Sequence, residues 1–340
     1  MGNIERTLMK PVIDAHFDLL MDVVIRRSRG ERHVIETSYL PEFLSGGINT
    51  VVAAVFVDSA FVPEMALRKA LQQISSLHDE VRESNQIAIC RTAEELEQAR
   101  SEGKLSFILS LEGADPLYND LSMLRIFYEL GVRMMGLTWS RRNFAGEGSD
   151  FTPYPRRRSS GLSDFGLQLV EAAGAIGMLI DVSHLNDEGF RDVMEVAKGP
   201  VIASHSNCRI LTRTMRNLSD EQITAIARHG GVIGINSISM FVAERDEDAN
   251  VDHMVRHIDH VVNLVGIEHV GIGLDLTDAF LKYVATEDLA RMSRKPFDIL
   301  KGHAELPKLQ ETLSKRGYSA EHIGLILGGN FERVFKMAWK

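Results

Sequence analysis

The sequence predicts a (β/α)8 barrel, an α/β fold in which eight parallel strands alternate with helices. Eight short apolar runs recur along the 340-residue chain, and most are separated by segments with the apolar spacing of helices. No Gly-x-Gly-x-x-Gly motif follows the first run, so a dinucleotide-binding fold is weakly supported. An open α/β sheet is the alternative to the barrel.

The apolar runs show little alternation, which is typical of strands that are covered on both faces of a parallel sheet. The predicted strands are 11–18, 48–56, 105–112, 132–138, 178–184, 200–205, 232–238 and 269–275. Helical spacing is found at 63–84, 92–102, 121–130, 165–174, 187–197 and 248–265, with extra helices in about the last 70 residues. Ser219 to Gln222 reads as a capping box, and Ser319 is a second predicted cap. No linker or repeat divides the chain, so we expect one domain over residues 1–340.

Composition narrows the functional classes. The net charge of −9 argues against a general nucleic-acid binder. Two cysteines provide no disulfide framework, which fits a reducing compartment. The first residues lack an apolar secretory segment, and no run of 18 apolar residues would span a membrane. We therefore expect a soluble, cytoplasmic protein; a homodimer is compatible with the sequence, but nothing in it locates an interface.

Ionisable side chains stand at the ends of five predicted strands. They are His16, Asp18, Glu112, His184, His205 and Asp275. Because side chains two apart on a strand point the same way, the His-x-Asp pair at the end of the first strand offers two ligands side by side. In a barrel the carboxyl ends of all strands meet at one face, so these six groups should converge. Each alone has a structural alternative, such as a hydrogen-bonded core residue, but clustered carboxylates need a cation.

The donor set indicates the chemistry. Three histidines and several carboxylates suit Zn²⁺ or a similar ion, and they exceed what one tetrahedral ion needs. Two ions bridged by Glu112 are therefore plausible, about 3.5–4 Å apart. Water held there would act as hydroxide near neutral pH, and Asp275 could transfer its proton. The residues alone thus predict metal-dependent hydrolysis.

At this point the sequence resembles the amidohydrolase superfamily and, within it, the membrane (renal) dipeptidase family, peptidase M19. The resemblance extends from residue 11 to the last predicted helix. It is carried by Ile13-Asp-Ala-His-Phe-Asp18, Ser110-Leu-Glu-Gly113, Gly131-Val-Arg133, Leu137-Thr138, Gly161-Leu-Ser-Asp-Phe-Gly166, Ile180-Asp-Val-Ser-His184, Pro200-Val-Ile-Ala-Ser-His-Ser206, Arg216-Asn217, Val270-Gly-Ile-Gly273, Asp275 and Gly329-Asn330.

The resemblance implies a (β/α)8 barrel of the metal-dependent hydrolase type with two zinc ions. His16, Asp18 and Glu112 would hold one ion, and a bridging Glu112 would hold the other together with two histidines, His184 and His205. Asp275 matches the family's proton-transferring aspartate. Arg216 matches the arginine that binds the substrate's terminal carboxylate, a task suited to a guanidinium fork; the alternative is a surface arginine.

Two departures from the family pattern lie near the expected substrate. Trp139 stands where the best-known members have a histidine after Leu-Thr, and the resemblance implies that this histidine polarises the scissile carbonyl. An indole N–H can donate one hydrogen bond but cannot take up a proton or carry a charge. Trp139 is therefore either a wall of the substrate pocket or a core residue. On the last strand, the family's Asp-Phe-Asp-Gly is replaced by Asp275-Leu-Thr-Asp278, in which Asp275 alone is matched to the family pattern. The arginines at 156–158 either add positive charge over the site or form a solvated run.

The sequence therefore predicts a zinc-dependent dipeptidase that hydrolyses small dipeptides, L-Xaa-D-Xaa substrates among them, by attack of metal-bound hydroxide on the peptide carbonyl. A related metal hydrolase acting on another small amide or lactam is the alternative that Trp139 keeps open. A non-catalytic metal-binding barrel is the third hypothesis, and it gives no reason to retain Asp275 as a proton carrier.

Overall fold

The computed structural model describes residues 10–283, 292 and 294–339. Its strands are β1 (Ile13–Phe17), β2 (Thr50–Phe56), β3 (Ile87–Ile89), β4 (Leu105–Glu112), β5 (Val132–Gly136), β6 (Leu179–Asp181), β7 (Val201–Ile202), β8 (Ile233–Ile235) and β9 (Val270–Ile272). Its α-helices are α1 (Leu19–Ser28), α2 (Leu40–Gly46), α3 (Ala66–Glu83), α4 (Ala93–Ser101), α5 (Ser122–Glu129), α6 (Asp164–Ile176), α7 (Asp187–Val196), α8 (Asp220–Arg228), α9 (Ser239–Val242), α10 (Val251–Val265), α11 (Leu306–Lys315), α12 (Ala320–Gly324) and α13 (Asn330–Ala338).

The strands form a curled parallel sheet with helices between them. The main sheet has the order β1-β2-β4-β5-β6-β7, and β8 pairs with β9 separately. All of the strand pairs are parallel, and one further bridge joins Ala203 beyond β7 to Ile233 in β8. The predicted α/β architecture is confirmed to this extent, while closure into a complete eight-stranded barrel stays a prediction.

All eight predicted apolar runs contain a strand, and one strand in the described part of the chain was not predicted. The missed strand, β3, pairs with the first half of β4 through Ile87 and Leu105. It comprises three residues, which is too short to show either a long apolar run or clear alternation.

Apolar side chains fill the space inside the curled sheet at the amino ends of the strands. Ile13 and Ala15 of β1 belong to this cluster, and helix α13 covers it with Phe335. The other buried members include Val52, Ile108, Met134, Leu179, Ile202, Val232, Phe331 and Trp339. Truncating such a buried aromatic residue to alanine typically costs about 3–5 kcal/mol, so this cluster is a stable floor beneath the carboxyl ends.

The predicted helix caps are present. The Ser219 side chain accepts from the backbone N–H of Gln222, and the Gln222 side chain accepts from the backbone N–H of Ser219, which completes the capping box. The Ser319 side chain accepts from the N–H of His322 at the start of α12. Both caps satisfy backbone donors that a helix start leaves without intrahelical partners.

The long segment between β5 and α6 packs against the carboxyl ends of the strands. Gly148 forms an antiparallel bridge with Leu185, and the N–H of Ser149 donates to the carbonyl of His184 at 2.7 Å. A Cβ atom at Gly148 would lie 1.8 Å from the carbonyl oxygen of Trp139. Only glycine allows this close approach, which holds the segment beside Trp139.

Candidate metal centre

The structure brings together the six ionisable residues predicted at the strand ends. Each is buried, with exposed fractions between 1% and 9%. They are His16, Asp18, Glu112, His184, His205 and Asp275. The register of β1 against β2 shifts between Asp14 and Phe17, an irregularity of the kind that re-aims side chains at a strand end.

Glu112, the last residue of β4, lies at the centre of this group. One carboxylate oxygen, Oε1, is 3.0 Å from Nε2 of His184 and 3.9 Å from Nε2 of His205. The other oxygen, Oε2, is 3.7 Å from Nε2 of His16. Glu112 therefore faces histidines on both sides, as a residue between two binding positions would.

His16 also faces two aspartates. Its Nε2 is 3.5 Å from Oδ2 of Asp18 and 3.9 Å from Oδ1 of Asp275. Potential ligand atoms of His16, Asp18 and Asp275 lie within 4.8 Å of one another, and the same holds for His16, Glu112 and His205. The residues could thus supply ligands to more than one ion.

Three buried polar atoms of this group test the fit to a metal. Nε2 of His16, Oδ1 of Asp18 and Oε2 of Glu112 have no hydrogen-bond partner among the described residues. Buried polar atoms are normally hydrogen-bonded, so unpaired ones that face one another indicate an external partner. A divalent cation satisfies lone pairs on imidazole and carboxylate together.

The spacing of the ligand atoms supports this fit. Nε2 of His184 and Nε2 of His205 are 3.0 Å apart, and together with Oε1 of Glu112 they form a triangle with sides of 3.0, 3.0 and 3.9 Å. Bonds of about 2.0–2.2 Å in a tetrahedral zinc site place ligand atoms about 3.3–3.6 Å apart. The three sides bracket that value, so these residues fit zinc.

Electrostatics in the group are dominated by burial and by the carboxylates. Burial lowers the pKa of His16, but the charges of Glu112, Asp18 and Asp275 outweigh it and raise this pKa to about 10. Burial, and after it the charge of Asp18, raises the pKa of Glu112 well above its ordinary value. Both shifts express the same imbalance: the cluster has excess negative charge that a cation would offset.

His184 and His205 lie where positive charge is disfavoured. Burial lowers the pKa of both imidazoles well below the ordinary value, and the Arg216 guanidinium and protonated His16 contribute in the same direction. Neutral imidazole is the form that binds metals. His184 also adopts a backbone φ of 66°, an uncommon conformation for a residue with a side chain.

Each of these two histidines contacts a serine through its other ring nitrogen. Nδ1 of His184 is 2.9 Å from Oγ of Ser140, and Nδ1 of His205 is 2.7 Å from Oγ of Ser204. Such contacts orient metal-binding imidazoles. The sequence prediction gave no role to either serine, although Ser204 precedes His205 directly.

Asp275 lies just beyond β9 with a φ of 54°. Its Oδ2 accepts a hydrogen bond from Asn236 at 2.6 Å, and its backbone N–H donates to the carbonyl of His16 at 3.2 Å. Burial raises the pKa of Asp275 to about 7, although the positive charge of His16 acts in the opposite direction. A carboxyl group with such a pKa is suited to proton transfer near neutral pH.

Asp14, which the sequence prediction left without a role, joins β1 to the segment after β9. Its Oδ1 accepts from the N–H groups of Leu274 at 2.8 Å and His16 at 3.3 Å, and its Oδ2 contacts Nε2 of His303 at 2.7 Å. The carboxylate thereby fixes the two backbone segments that carry His16 and Asp275. Alternation within β1 gave no signal for this role.

Arg216 is buried rather than exposed, so the alternative of a surface arginine is wrong. Its guanidinium donates to Oγ of Ser206 at 2.8 Å and to the carbonyl of His205 at 2.7 Å, while Nε has no partner among the described residues. It lies 5.6 Å from the ring centre of Phe241. Contact with a substrate carboxylate stays a prediction.

Trp139 is 3% exposed and belongs to an aromatic cluster beside the ionisable group. Its ring centre is 5.3 Å from Phe56, 5.7 Å from Phe151 and 5.8 Å from His184. Trp139, Phe56 and Phe151 pack with Phe241, Phe280 and Met240 in one cluster, which we call the aromatic wall. Trp139, Phe151 and Phe280 line a cavity of about 30 Å³, and Asp18, Glu112, His184 and Asp275 line the same cavity.

The arginine run in the long loop is partly neutralised. Arg156 pairs with Asp150 at 2.6 Å and lies 3.7 Å from Glu147, while residues 157 and 158 are exposed. None of the three lines the cavity beside Trp139. Asp278, the second aspartate of the departure on the last strand, is also exposed.

The fold and the site together define a class: α/β proteins that gather metal-binding side chains at the carboxyl ends of parallel strands. Residues 4–340 match the model of the membrane dipeptidase family, peptidase family M19. The chain therefore belongs to this family of metallo-dipeptidases, which confirms the resemblance and the enzyme class predicted from the sequence.

Three individual proteins are similar to this chain over most of its length. Human Dipeptidase 3 is 30% identical over 97% of this chain, and the chain spans 65% of that relative's length. A protein of Klebsiella pneumoniae from the pqqA 5' region is 32% identical over 79% of this chain and 96% of its own length. A metallo peptidase from Rhodobacter sphaeroides, liganded with a phosphinate mimic of L-Ala-D-Ala, superposes with a TM-score of 0.84 at 26% identity and 97% and 99% coverage of this chain and of that structure.

Membrane attachment by a spanning helix has no support in the described part of the chain, where no helix is long and apolar enough to cross a bilayer.

Proposed function

We propose that this protein is a zinc-dependent dipeptidase that hydrolyses small dipeptides, including those with a D-residue at the carboxyl end. The observation that carries the proposal is the buried group of unpaired ligand atoms on His16, Asp18 and Glu112, in a chain of the membrane dipeptidase family. We further propose that the strands close into a complete barrel, which the hydrogen bond from Asp275 N–H to the His16 carbonyl supports.

The proposed ligands form two sets that share Glu112. His16, Asp18 and Glu112 would hold one zinc, and Glu112, His184 and His205 would hold the other. When bound, zinc would act as a Lewis acid that polarises the peptide carbonyl and lowers the pKa of water. The chain's own contribution is to keep both histidines neutral and all ligands fixed on strand ends.

Asp275 is the proposed proton carrier. Its Oδ1 faces His16 while Oδ2 accepts from Asn236, so the carboxyl group is oriented toward the site from the last strand. It would take a proton from the attacking water and give it to the leaving amine. Without metal, burial raises the pKa of Asp275 to about 7.

Substrate recognition would use a charged and an apolar element. Arg216 is a buried cation near His205 whose Nε lacks a partner among the described residues, and a substrate carboxylate would fill that position. The aromatic wall around Trp139 would contact a substrate side chain and exclude water. The ligand of the Rhodobacter sphaeroides structure supports small side chains and an L,D pair.

The alternative is a related metal hydrolase that acts on another small amide or lactam. The observation that favours it is Trp139, an indole at the position where a histidine would polarise a peptide carbonyl.

The cytoplasmic location, the single domain and a homodimer also stay predictions. They can be tested by cell fractionation, limited proteolysis and sedimentation, respectively.

The deciding experiment combines metal analysis with hydrolysis of paired L-Xaa-L-Xaa and L-Xaa-D-Xaa dipeptides. We expect about two zinc ions per chain, as in two-metal hydrolases, and cleavage of small L,D pairs. Asp275→Asn is the matched control, because it should retain zinc and lose most turnover. Two zinc ions without cleavage of any dipeptide would favour the amide or lactam alternative, and absence of bound metal would contradict the site.

A further inference from the structure

A chain of hydrogen bonds beneath His205 has no part in the function proposed above. Asp181, at the end of β6, is 4% exposed, and its Oδ1 accepts from the N–H groups of Ser183 and Ser204, both at 2.9 Å. Its Oδ2 accepts from the hydroxyl of Ser204. The same hydroxyl oxygen lies 2.7 Å from Nδ1 of His205.

The number of protons available decides which group donates in each of these hydrogen bonds. An ionised carboxylate has only acceptors, and a serine hydroxyl has a single proton to donate. Because Ser204 donates that proton to Asp181, its oxygen is left as an acceptor toward His205. The contact at 2.7 Å then requires a proton on Nδ1 of His205. In a neutral imidazole the other nitrogen, Nε2, carries the lone pair.

We propose that Asp181 is a positioning residue that fixes, through the Ser204 hydroxyl, the Nδ1–H form of His205. Its Nε2 lone pair then faces Glu112 and His184, at 3.9 and 3.0 Å, which is the direction that metal binding needs. This inference rests on the proposed metal-binding role of His205. Asp181 itself neither contacts substrate nor ligates metal in this proposal.

The neighbouring histidine shows why the carboxylate matters. Ser140 contacts Nδ1 of His184 at 2.9 Å, but that contact alone allows the hydroxyl either to donate or to accept. The direction at His205 is set because Asp181 takes the serine proton. The position of Asp181 also supports this role. Leu179 and Asp181 are two residues apart on β6 and share a face, so the carboxylate lies directly above the apolar floor.

The test is nitrogen NMR of metal-free protein labelled with ¹⁵N-histidine, with His205 identified from the signals lost in a His205→Gln variant. We expect protonated Nδ1 and unprotonated Nε2 in the parent protein. In Asp181→Asn the amide can donate to the Ser204 oxygen, which frees the serine proton for Nδ1 of His205. The Nε2–H form should then increase, and zinc affinity measured by chelator competition should fall about 10- to 100-fold.

Two further variants separate positioning from general loss of structure. Ser204→Thr keeps the hydroxyl and should retain the parent's tautomer and zinc affinity, whereas Ser204→Ala should lose both. An Asp181→Asn protein with the parent's tautomer and zinc affinity would overturn the proposal. If that variant does not fold, equal tautomer populations in the alanine and threonine variants would overturn it instead. If the parent protein has the expected His205 tautomer but cleaves no dipeptide, the proposed function is contradicted and the role of Asp181 is not.

Discussion

Two buried histidines, His257 and His16, differ in how their ring nitrogens are satisfied. Nδ1 of His257 accepts from the N–H of Cys208 at 3.0 Å, and Nε2 donates to the carbonyl of Val242 at 2.9 Å. Nε2 of His16 has no hydrogen-bond partner among the described residues and faces carboxylates at 3.5–3.9 Å. A buried histidine with both nitrogens paired is part of the scaffold, whereas an unpaired one beside carboxylates marks a binding position.

The same comparison holds for charge. Burial dominates at His257 and lowers its pKa to about 4, so this imidazole is neutral over the physiological range. At His16 burial acts in the same direction, but three carboxylates outweigh it and raise the pKa to about 10. Burial therefore keeps His257 of the scaffold neutral, whereas the carboxylates of the site favour the charged form of His16.

The largest expected effect follows from Glu112→Gln, which removes the central carboxylate of the site. Zinc retention should be lost, and dipeptide hydrolysis should fall by about three orders of magnitude or more, because a bound metal contributes several kcal/mol of transition-state stabilisation. The metal-free variant should be at least as stable as the parent. The reason is that the raised pKa of Glu112 means that its charged form is disfavoured in the folded protein.

Metal analysis, kinetics and chemical denaturation of the metal-free proteins measure the three quantities. A strongly destabilised Glu112→Gln protein would show that the carboxylate belongs to the scaffold and would break the contrast with His257. Retention of both zinc and activity would remove Glu112 from the site.

A smaller effect is expected on the free energy of unfolding, which should fall at acid pH because His257 is buried in its neutral form. Its pKa is about 4 when folded and about 6.5 when unfolded, so its contribution to stability is complete above pH 6.5 and is lost as the pH falls toward 4. The loss approaches about 3 kcal/mol at 1.36 kcal/mol per unit. His257→Gln is the matched control, because an amide can donate to Val242 and accept from Cys208 without titrating.

Urea denaturation of the parent and of His257→Gln between pH 7.5 and 4.5 gives the difference in unfolding free energy at each pH. We expect the parent to lose stability relative to the variant as the pH falls. Parallel pH profiles would mean that His257 does not control the acid sensitivity of this region.

The polar residues at the strand ends could be predicted from the sequence, because the alternation of side chains along a strand depends only on neighbouring positions. In β4, Ile108, Ser110 and Glu112 share a face, and the series runs from the apolar floor to the site. The polar residues at the ends of these apolar runs are therefore brought together in one buried group, and their roles as metal ligands stay predictions. Family resemblance then added roles, such as that of Arg216, which the pattern alone would have assigned to the surface.

The supporting residues could not be predicted because their roles depend on contacts between distant segments. Asp14 contacts Leu274 and His303, which follow it by 260 and 289 positions. Asn236 reaches Asp275 from the end of another strand. Asp181 and Ser204 stood inside the matching motifs, yet only their hydrogen bonds give the direction in which protons are donated.

The smallest expected effect concerns Trp139, where the aromatic wall meets the site. If the indole serves as an apolar contact, Trp139→Phe should keep the parent's preference for apolar side chains. Trp139→His should lower kcat/KM for an L-Leu-D-Ala substrate about tenfold more than for Gly-D-Ala, since losing one to two kcal/mol of apolar burial affects only the larger side chain. A uniform rise in kcat for both substrates in Trp139→His would mean instead that this position polarises the carbonyl, and that the parent protein is adapted to a substrate that does not need it.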